Sequence, residues 1–353
     1  MDIEQVLRNA VEKQASDIFI GVGRSITFKI DGVLIEQDAA NIIRPPEADQ
    51  ILTDLYEKAH RPMAKYLEKG DDDFSVSIQD VARFRVSAYQ QRGTKAAIIR
   101  VVLFNIPDYK KINVPEEVMK IASENHGLVL VTGAAGSGKT TTLACIIHEI
   151  NQTRNGHIIT LEDPIEFLHK HDKSLVTQRE ISTDTESYLT ALRACLRQAP
   201  DIILLGEMRD YDTIKAAMTA AETGHLIIST LHTIGAVSTI DRIIDVFPAE
   251  QQQQVRVQLP MILRTVVTQQ LLPTKTGGLV PAYEIMHLNT AIRNLIREAK
   301  THQIDGIIQT SAHEGMLNMD TSIFKLYQSG TISAETAITY AINADQMARK
   351  VKT

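Results

Sequence analysis

The chain has 353 residues, 44% of them hydrophobic and 23% charged, with a formal net charge of −6. That length exceeds one ordinary domain and suggests two, with the composition of a soluble globular protein. The acidic balance argues against a protein that holds nucleic acid through a broad basic surface.

From the amino terminus, Ile3, Val6, Leu7, Ala10 and Val11 fall at helical spacing and mark an amphipathic helix. Alternation over 26–30, then Asp31-Gly32 and the run Val33-Leu34-Ile35, predicts a β-hairpin. A helix is expected after Pro45-Pro46, and strands over 73–78, 83–89 and 95–103. Residues 1–105 thus read as a mixed α+β domain. The stretch from Asn105-Ile106-Pro107 to Val114-Pro115 is the candidate linker, assigned to 106–115. From 116 to 290 apolar strands alternate with amphipathic helices, the α/β pattern of a parallel sheet wrapped by helices. Residues 291–353 read as all helix, punctuated by Gly306, Gly315 and Gly330.

The second domain opens with Gly133-Ala134-Ala135-Gly136-Ser137-Gly138-Lys139-Thr140, which fits the phosphate-loop pattern G-x-x-x-x-G-K-[ST]. The apolar run 128–131 precedes it, and Leu143, Ile146, Ile147 and Ile150 follow on one helical face. Triphosphate oxygens must approach backbone N–H groups at a helix N-terminus, and Cβ atoms at the glycines would block them. Gly133, Ala135, Gly136, Ser137 and Gly138 would form that cradle, and Lys139 would reach the β- and γ-phosphates. Thr140 would place its hydroxyl on Mg²⁺, with Thr141 beside it. The plainer alternative, a glycine turn before a helix, leaves the Lys-Thr pair unexplained.

Three further apolar strands end in polar residues. The run 157–161 meets Glu162-Asp163-Pro164-Ile165-Glu166, 202–205 meets Gly206-Glu207-Met208-Arg209-Asp210, and 226–231 meets His232-Thr233. Ligands of open α/β sheets bind outside the carboxyl ends of the strands, so these groups are expected to converge on one cleft. Phosphoryl transfer needs a cation on the phosphates and a carboxylate that positions or deprotonates water. Glu162 is the expected base, and Glu207 is expected to reach Mg²⁺ through a water, since Gly206 occupies the slot where a Walker B strand usually carries Asp. Which acid is the base stays open, and either could merely cap a helix, as Asp163 before Pro164 could. His232 could meet a γ-phosphate, whereas His225, before the strand, suits a structural role.

The cysteines, Cys145 and Cys195, are too few for a disulfide framework or a four-cysteine metal site, and both are expected as core side chains in a reducing compartment. No apolar run reaches the ~18 residues a bilayer requires, and no basic-then-apolar leader pattern opens the chain. The protein is therefore expected in the cytoplasm, with any membrane role supplied by a partner.

Together these motifs resemble the secretion ATPase superfamily, and within it the retraction ATPases of type IV pili. The phosphate loop at 133–140, an acidic box at 162–166, a Walker B segment at 202–210 and a histidine box at 223–233 occur in the family's order. The stretches 176–180 and 192–201 also look like this family, and Ala291-Ile292-Arg293-Asn294-Leu295-Ile296-Arg297-Glu298 matches a motif associated with retraction motors. The resemblance implies a homohexameric, ATP- and Mg²⁺-dependent motor with a PAS-like N-terminal domain, a RecA-like ATPase domain and a helical C-terminal tail. It implies that Arg85 and Arg100 reach the phosphates from the N-terminal domain, although on their own they read as arginines on an exposed strand face. It also implies a pilus platform protein in the inner membrane as partner, an accessory retraction ATPase as a further one, and no direct contact with nucleic acid. The loop departs from the family's usual G-x-T-G-S-G-K-S-T at Ala134-Ala135 and Thr140-Thr141, and the Pro-Pro-Arg usual after the first strand is missing at 21–25. Assembly-type relatives carry an extra N-terminal domain and a four-cysteine site, so retraction is favoured over assembly. The alternatives are an accessory retraction ATPase, a secretion or DNA-uptake motor, and a scaffold gated by ATP with little turnover.

Overall fold

A computed structural model describes residues 2–30, 32–79, 81–102 and 106–352. Asp31 of the hairpin turn, Leu103 at the end of an expected strand and Asn105 at the expected boundary lie outside the described residues. Chain contacts divide the molecule into two units, 1–105 with 166–168, and 106–165 with 169–353.

The first unit begins with helix α1 (Ile3–Glu12), capped by the Asp2 carboxylate, which accepts from the Glu4 amide. Strands β1 (Asp17–Ile20), β2 (Thr27–Ile30) and β3 (Val33–Glu36) follow, then helices α2 (Pro45–Lys58) and α3 (Ala64–Lys69). Strands β4 (Asp71–Ile78), β5 (Ala82–Gln91) and β6 (Thr94–Val102) complete an antiparallel sheet of order β3-β2-β1-β6-β5-β4. Strands β4 and β5 alternate between buried and less buried residues, so one face of the sheet packs on this unit's core. On that face Ile18, Phe28, Phe74, Phe84 and Ile99 pack with Leu7 of α1 and with Ile51, Leu52 and Leu55 of α2.

The second unit starts with the short helix α4 (Glu116–Met119) and strand β7 (Gly127–Thr132). It continues through α5 (Lys139–Thr153), β8 (His157–Glu162), β9 (Leu175–Glu180), α6 (Tyr188–Cys195), β10 (Ile202–Leu205), α7 (Tyr211–Glu222) and β11 (Leu226–Leu231). Helices α8 (Ala236–Asp245) and α9 (Ala249–Ile262) lead into β12 (Leu263–Pro273) and β13 (Leu279–His287). The sheet order is β13-β12-β7-β11-β10-β8-β9, parallel except for β13. Alternate residues of one strand serve opposite cores. Leu128 and Leu130 face one apolar cluster with α6 to α9, and Val129 and Val131 face another with α4 and α5. Five helices follow, α10 (Thr290–Arg297), α11 (Ile304–Thr310), α12 (Met319–Gln328), α13 (Ala334–Tyr340) and α14 (Ala344–Lys352). In α10, Ile292 and Ile296 are fully buried and Leu295 partly so, which makes these the inward face of the 291–298 segment.

The expected parallel sheet carries one antiparallel edge, the hairpin of β12 and β13. One correction concerns a helix cap: no helix begins at Pro164, so Asp163 caps none there. Among the described residues, no helix is long and apolar enough to cross a membrane.

Candidate functional site

The strand ends of the second sheet gather the polar residues singled out in the sequence. The chain leaves β7 through a loop in which Ala134, Ala135 and Gly136 are exposed and Ser137 is buried. Gly133, Gly136 and Gly138 adopt φ of 140°, 76° and 86°, values that side chains rarely tolerate, so the loop can turn back on the start of α5. The Lys139 ammonium donates to the carbonyls of Gly133 and Ala134, 2.9 Å from each. Burial pushes its pKa below the ordinary lysine value, against the opposing charge of Glu207. The buried Ser137 hydroxyl has no hydrogen-bond partner among the described residues. Thr140 and Thr141, in the first turn of α5, are both half-buried.

Glu162, the last residue of β8, is buried, and its Oε1 accepts from the Thr160 hydroxyl at 2.6 Å and the Gln178 amide at 3.2 Å. Glu207 follows β10 after Gly206. One of its carboxylate oxygens lies 2.7 Å from Arg209 Nε and 3.4 Å from His232 Nε2. His232 thus stands against Glu207, while His225, at the other end of β11, donates through Nδ1 to the Ala220 carbonyl in a structural contact. The backbone fixes these ends together. Gly206 N–H donates to Leu161 O at 2.8 Å, and the Thr230 hydroxyl donates to Gly206 O at 2.6 Å.

Gly206 explains the missing Walker B aspartate sterically. A Cβ there would lie 2.7 Å from the Tyr188 hydroxyl and 3.2 Å from Leu161 O. Tyr188 stands among the charges of Glu207, Asp163 and Glu162, and burial first, then those carboxylates, push its pKa up. A cavity of about 400 Å³ opens beside it, lined in part by Asp163, Tyr188, Glu207 and Arg209.

Arg85 and Arg100 belong to the other unit. They are direct cross-strand partners on β5 and β6, on the sheet face turned away from that unit's core. Arg100 Nε donates to Asp17 Oδ1 at 3.0 Å. Sequence reasoning named Arg209 only as part of a strand-end segment and missed Thr160, Gln178 and Tyr188; all four touch or crowd the two acids. Thr160 and Arg209 lie two residues from Glu162 and Glu207, a proximity that was legible. Gln178 required knowledge of strand pairing, and Tyr188, the first residue of α6, of how that helix packs against the strand ends.

A glycine loop between a central parallel strand and a helix, with acids at neighbouring strand ends, defines a phosphate-loop nucleotide-binding protein. The chain belongs to the type II/IV secretion system protein family, whose model matches residues 1–280. It is 43% identical over 342 residues to the type IV pilus retraction ATPase PilT of Pseudomonas aeruginosa, covering 96% of this chain and 97% of that one. It is 37% identical over 354 residues to the type IV pilus ATPase PilU of the same organism, covering 100% and 92%. Its fold matches the crystal structure of the pilus retraction motor PilT with bound ADP at a TM-score of 0.91 and 42% identity, over 99% of both chains.

Proposed function

We propose that this chain is an ATPase whose hydrolysis of ATP to ADP and phosphate drives the retraction of type IV pili, and with it twitching motility. The observation that carries the reading is the full-length likeness to PilT in a chain that keeps the phosphate loop and both acids at adjacent strand ends. In this reading Gly133 to Thr141 hold the triphosphate, and Lys139 leaves the loop carbonyls for the β- and γ-phosphates. Ser137 has a buried hydroxyl to offer a phosphate oxygen. Glu162, held by Thr160 and Gln178, aims at the attacking water as general base. Thr140 and Glu207 supply the oxygen donors that suit Mg²⁺, Glu207 through a water, and the ion would neutralise charge on the phosphates. His232 steadies Glu207.

Residues 1–105 act as a PAS-like domain that brings Arg85 and Arg100 to the phosphates, 106–115 as the linker, 116–290 as the ATPase domain and 291–353 as the helical tail. An arginine on a separate domain ties closure to phosphoryl transfer, which is how hydrolysis becomes movement. The working form is a homohexamer in the cytoplasm, held at the inner membrane by a pilus platform protein and working with an accessory retraction ATPase. The accessory role itself is the second reading, supported by the likeness to PilU over the whole chain and ranked lower because identity to PilT is higher.

Purified protein should release phosphate from ATP in a Mg²⁺-dependent manner, and Lys139→Ala should abolish release. Deleting the gene should stop pilus retraction in its host. Undiminished turnover in Lys139→Ala would remove the site, and intact retraction in the deletion strain would remove the assignment to the principal motor.

A further inference from the structure

Strand β12 runs parallel to β7 as far as Thr268, which pairs with Thr132, the last residue before the phosphate loop. The two threonine hydroxyls meet at 2.8 Å. Gln269 comes next and so lies against the loop, 3% exposed. It belongs to no phosphate-loop pattern, yet it meets the loop and its helix at three points. Its backbone carbonyl oxygen fills the space a Cβ at Gly133 would need, 2.3 Å from that position. Its side-chain Nε2 does the same at Gly138, at 2.8 Å. Its Oε1 accepts from the Thr142 hydroxyl, in the first turn of α5, at 2.7 Å. A buried primary amide is costly unless its polar atoms are used, and Gln269 stands in a strand that also buries Val266, Val267 and Leu272.

We propose that Gln269 is a positioning residue of the nucleotide site, an inference that rests on reading the loop as a triphosphate cradle. It acts through the loop rather than on the nucleotide. Gln269 presses on the first and last glycines of the cradle while anchoring to α5, which fixes the spacing of the N–H groups between them. It also fixes where Lys139 and Thr140 begin. The amide is required as an amide. Methionine would fill the volume without either polar atom. Glutamate would keep the acceptor for Thr142 but set a carboxylate oxygen beside Gly138, where triphosphate charge collects.

The test uses the full chain, with Gln269→Met, Gln269→Glu, Thr142→Val and the Thr142→Val/Gln269→Met double variant. For each, thermal unfolding, the Kd of a fluorescent ADP analogue, and kcat and KM for ATP are measured, with Lys139→Ala as the binding control. All four variants should unfold cooperatively within a few degrees of wild type. Gln269→Met should lower kcat/KM roughly 10- to 100-fold, as a misplaced phosphate cradle does. Gln269→Glu should bind the analogue more weakly than Gln269→Met, and added salt should narrow that gap because it screens charge. Thr142→Val should show a smaller loss, and the double variant should be no worse than Gln269→Met, because both act through one contact. Wild-type kinetics in Gln269→Met, equal affinities in the Met and Glu variants, or simple addition of the Thr142 and Gln269 effects would each overturn the proposal. A wild-type chain that fails to bind the analogue would instead overturn the phosphate-site reading, and this proposal with it.

Discussion

Along β5, every second side chain from Ala82 to Ala88 is buried, and Arg83 and Arg85 stand between them, half-buried, on the face turned away from the core. Along β7 every side chain is buried, and the chain turns polar and exposed only where the strand stops. The difference follows from what covers each sheet. An antiparallel sheet with one face turned away from its core can carry charge in mid-strand, whereas a sheet with an apolar core on both faces has only its ends to offer. In the first sheet a functional residue therefore looks like an ordinary alternating polar position. In the second it appears as the first polar residue after an apolar run.

The sharpest way to test this contrast is at a strand end of the second sheet. Glu162→Gln keeps the size of the side chain and removes the charge. It should lower kcat about 10²- to 10⁴-fold while nucleotide affinity persists, the loss expected of a general base. Single-turnover phosphate release and analogue binding measure the two separately. Glu207→Gln should instead raise the Mg²⁺ concentration needed for half-maximal rate. The reverse pattern would exchange the roles of the two acids.

The mid-strand arginines of the first sheet come next. Arg85→Ala, at a half-buried position outside the core, should change stability by about 1 kcal/mol or less, yet lower kcat about 10²- to 10³-fold if it stabilises charge on the phosphoryl group. Arg100→Ala should cost more stability, because it removes a partner of the nearly buried Asp17. ATPase rates set beside urea unfolding separate the effects. Arginines that prove kinetically silent would leave this face of the first sheet without a catalytic role.

This contrast also decides how much could be read in advance. The strands before Gly133, Glu162, Glu207 and His232 are legible because each is a continuous apolar run ending in polar residues. The hairpin of β12 and β13 was not foreseen. Residues 263–273 mix threonines and glutamines into an apolar run, and their burial comes from pairing with β7, a long-range contact. The glycine pair Gly277-Gly278, both at positive φ, was the available turn signal. Gln178 and Gln269 were invisible for the same reason, since each gains its meaning from a neighbouring strand. Arg85 and Arg100 entered through the family resemblance alone, although their direct pairing across β5 and β6 shows that the fold sets them side by side.

A smaller effect tests how tightly the strand ends of the second sheet are packed. Gly206→Asp would restore the usual Walker B residue but drive its Cβ into the Tyr188 hydroxyl. Overpacking of this kind should cost roughly 1–3 kcal/mol in urea unfolding. Adding Tyr188→Phe removes the oxygen in the way and should recover part of the loss. A stable, active Gly206→Asp single variant would show that the strand end has room to move.

The smallest effect lies on β13, at the edge of the same sheet, where Glu284 is buried opposite Thr268. Its Oε1 accepts from the Ala236 amide at the start of α8, at 2.8 Å. Burial raises its pKa above the ordinary glutamate value; the backbone amides of Ala236 and Met319 oppose the rise, and the charges of Asp305 and Asp320 add to it. A carboxyl whose folded pKa is raised binds its proton more tightly when folded. Its contribution is fully present below the unfolded value and is lost as pH rises through the folded one. Above the unfolded glutamate value the folded chain therefore bears a cost at this side chain, that of holding the proton or of burying the charge. Glu284→Gln removes that cost while keeping an oxygen for Ala236, and should raise Tm by roughly 1–3 °C at pH 8. The gain should shrink as pH falls toward the unfolded glutamate value, because the wild-type side chain is then protonated in both states. A loss of stability at pH 8 would mean that the helix N-terminus needs the full charge, and that this edge of the covered sheet tolerates a buried carboxylate better than its burial implies.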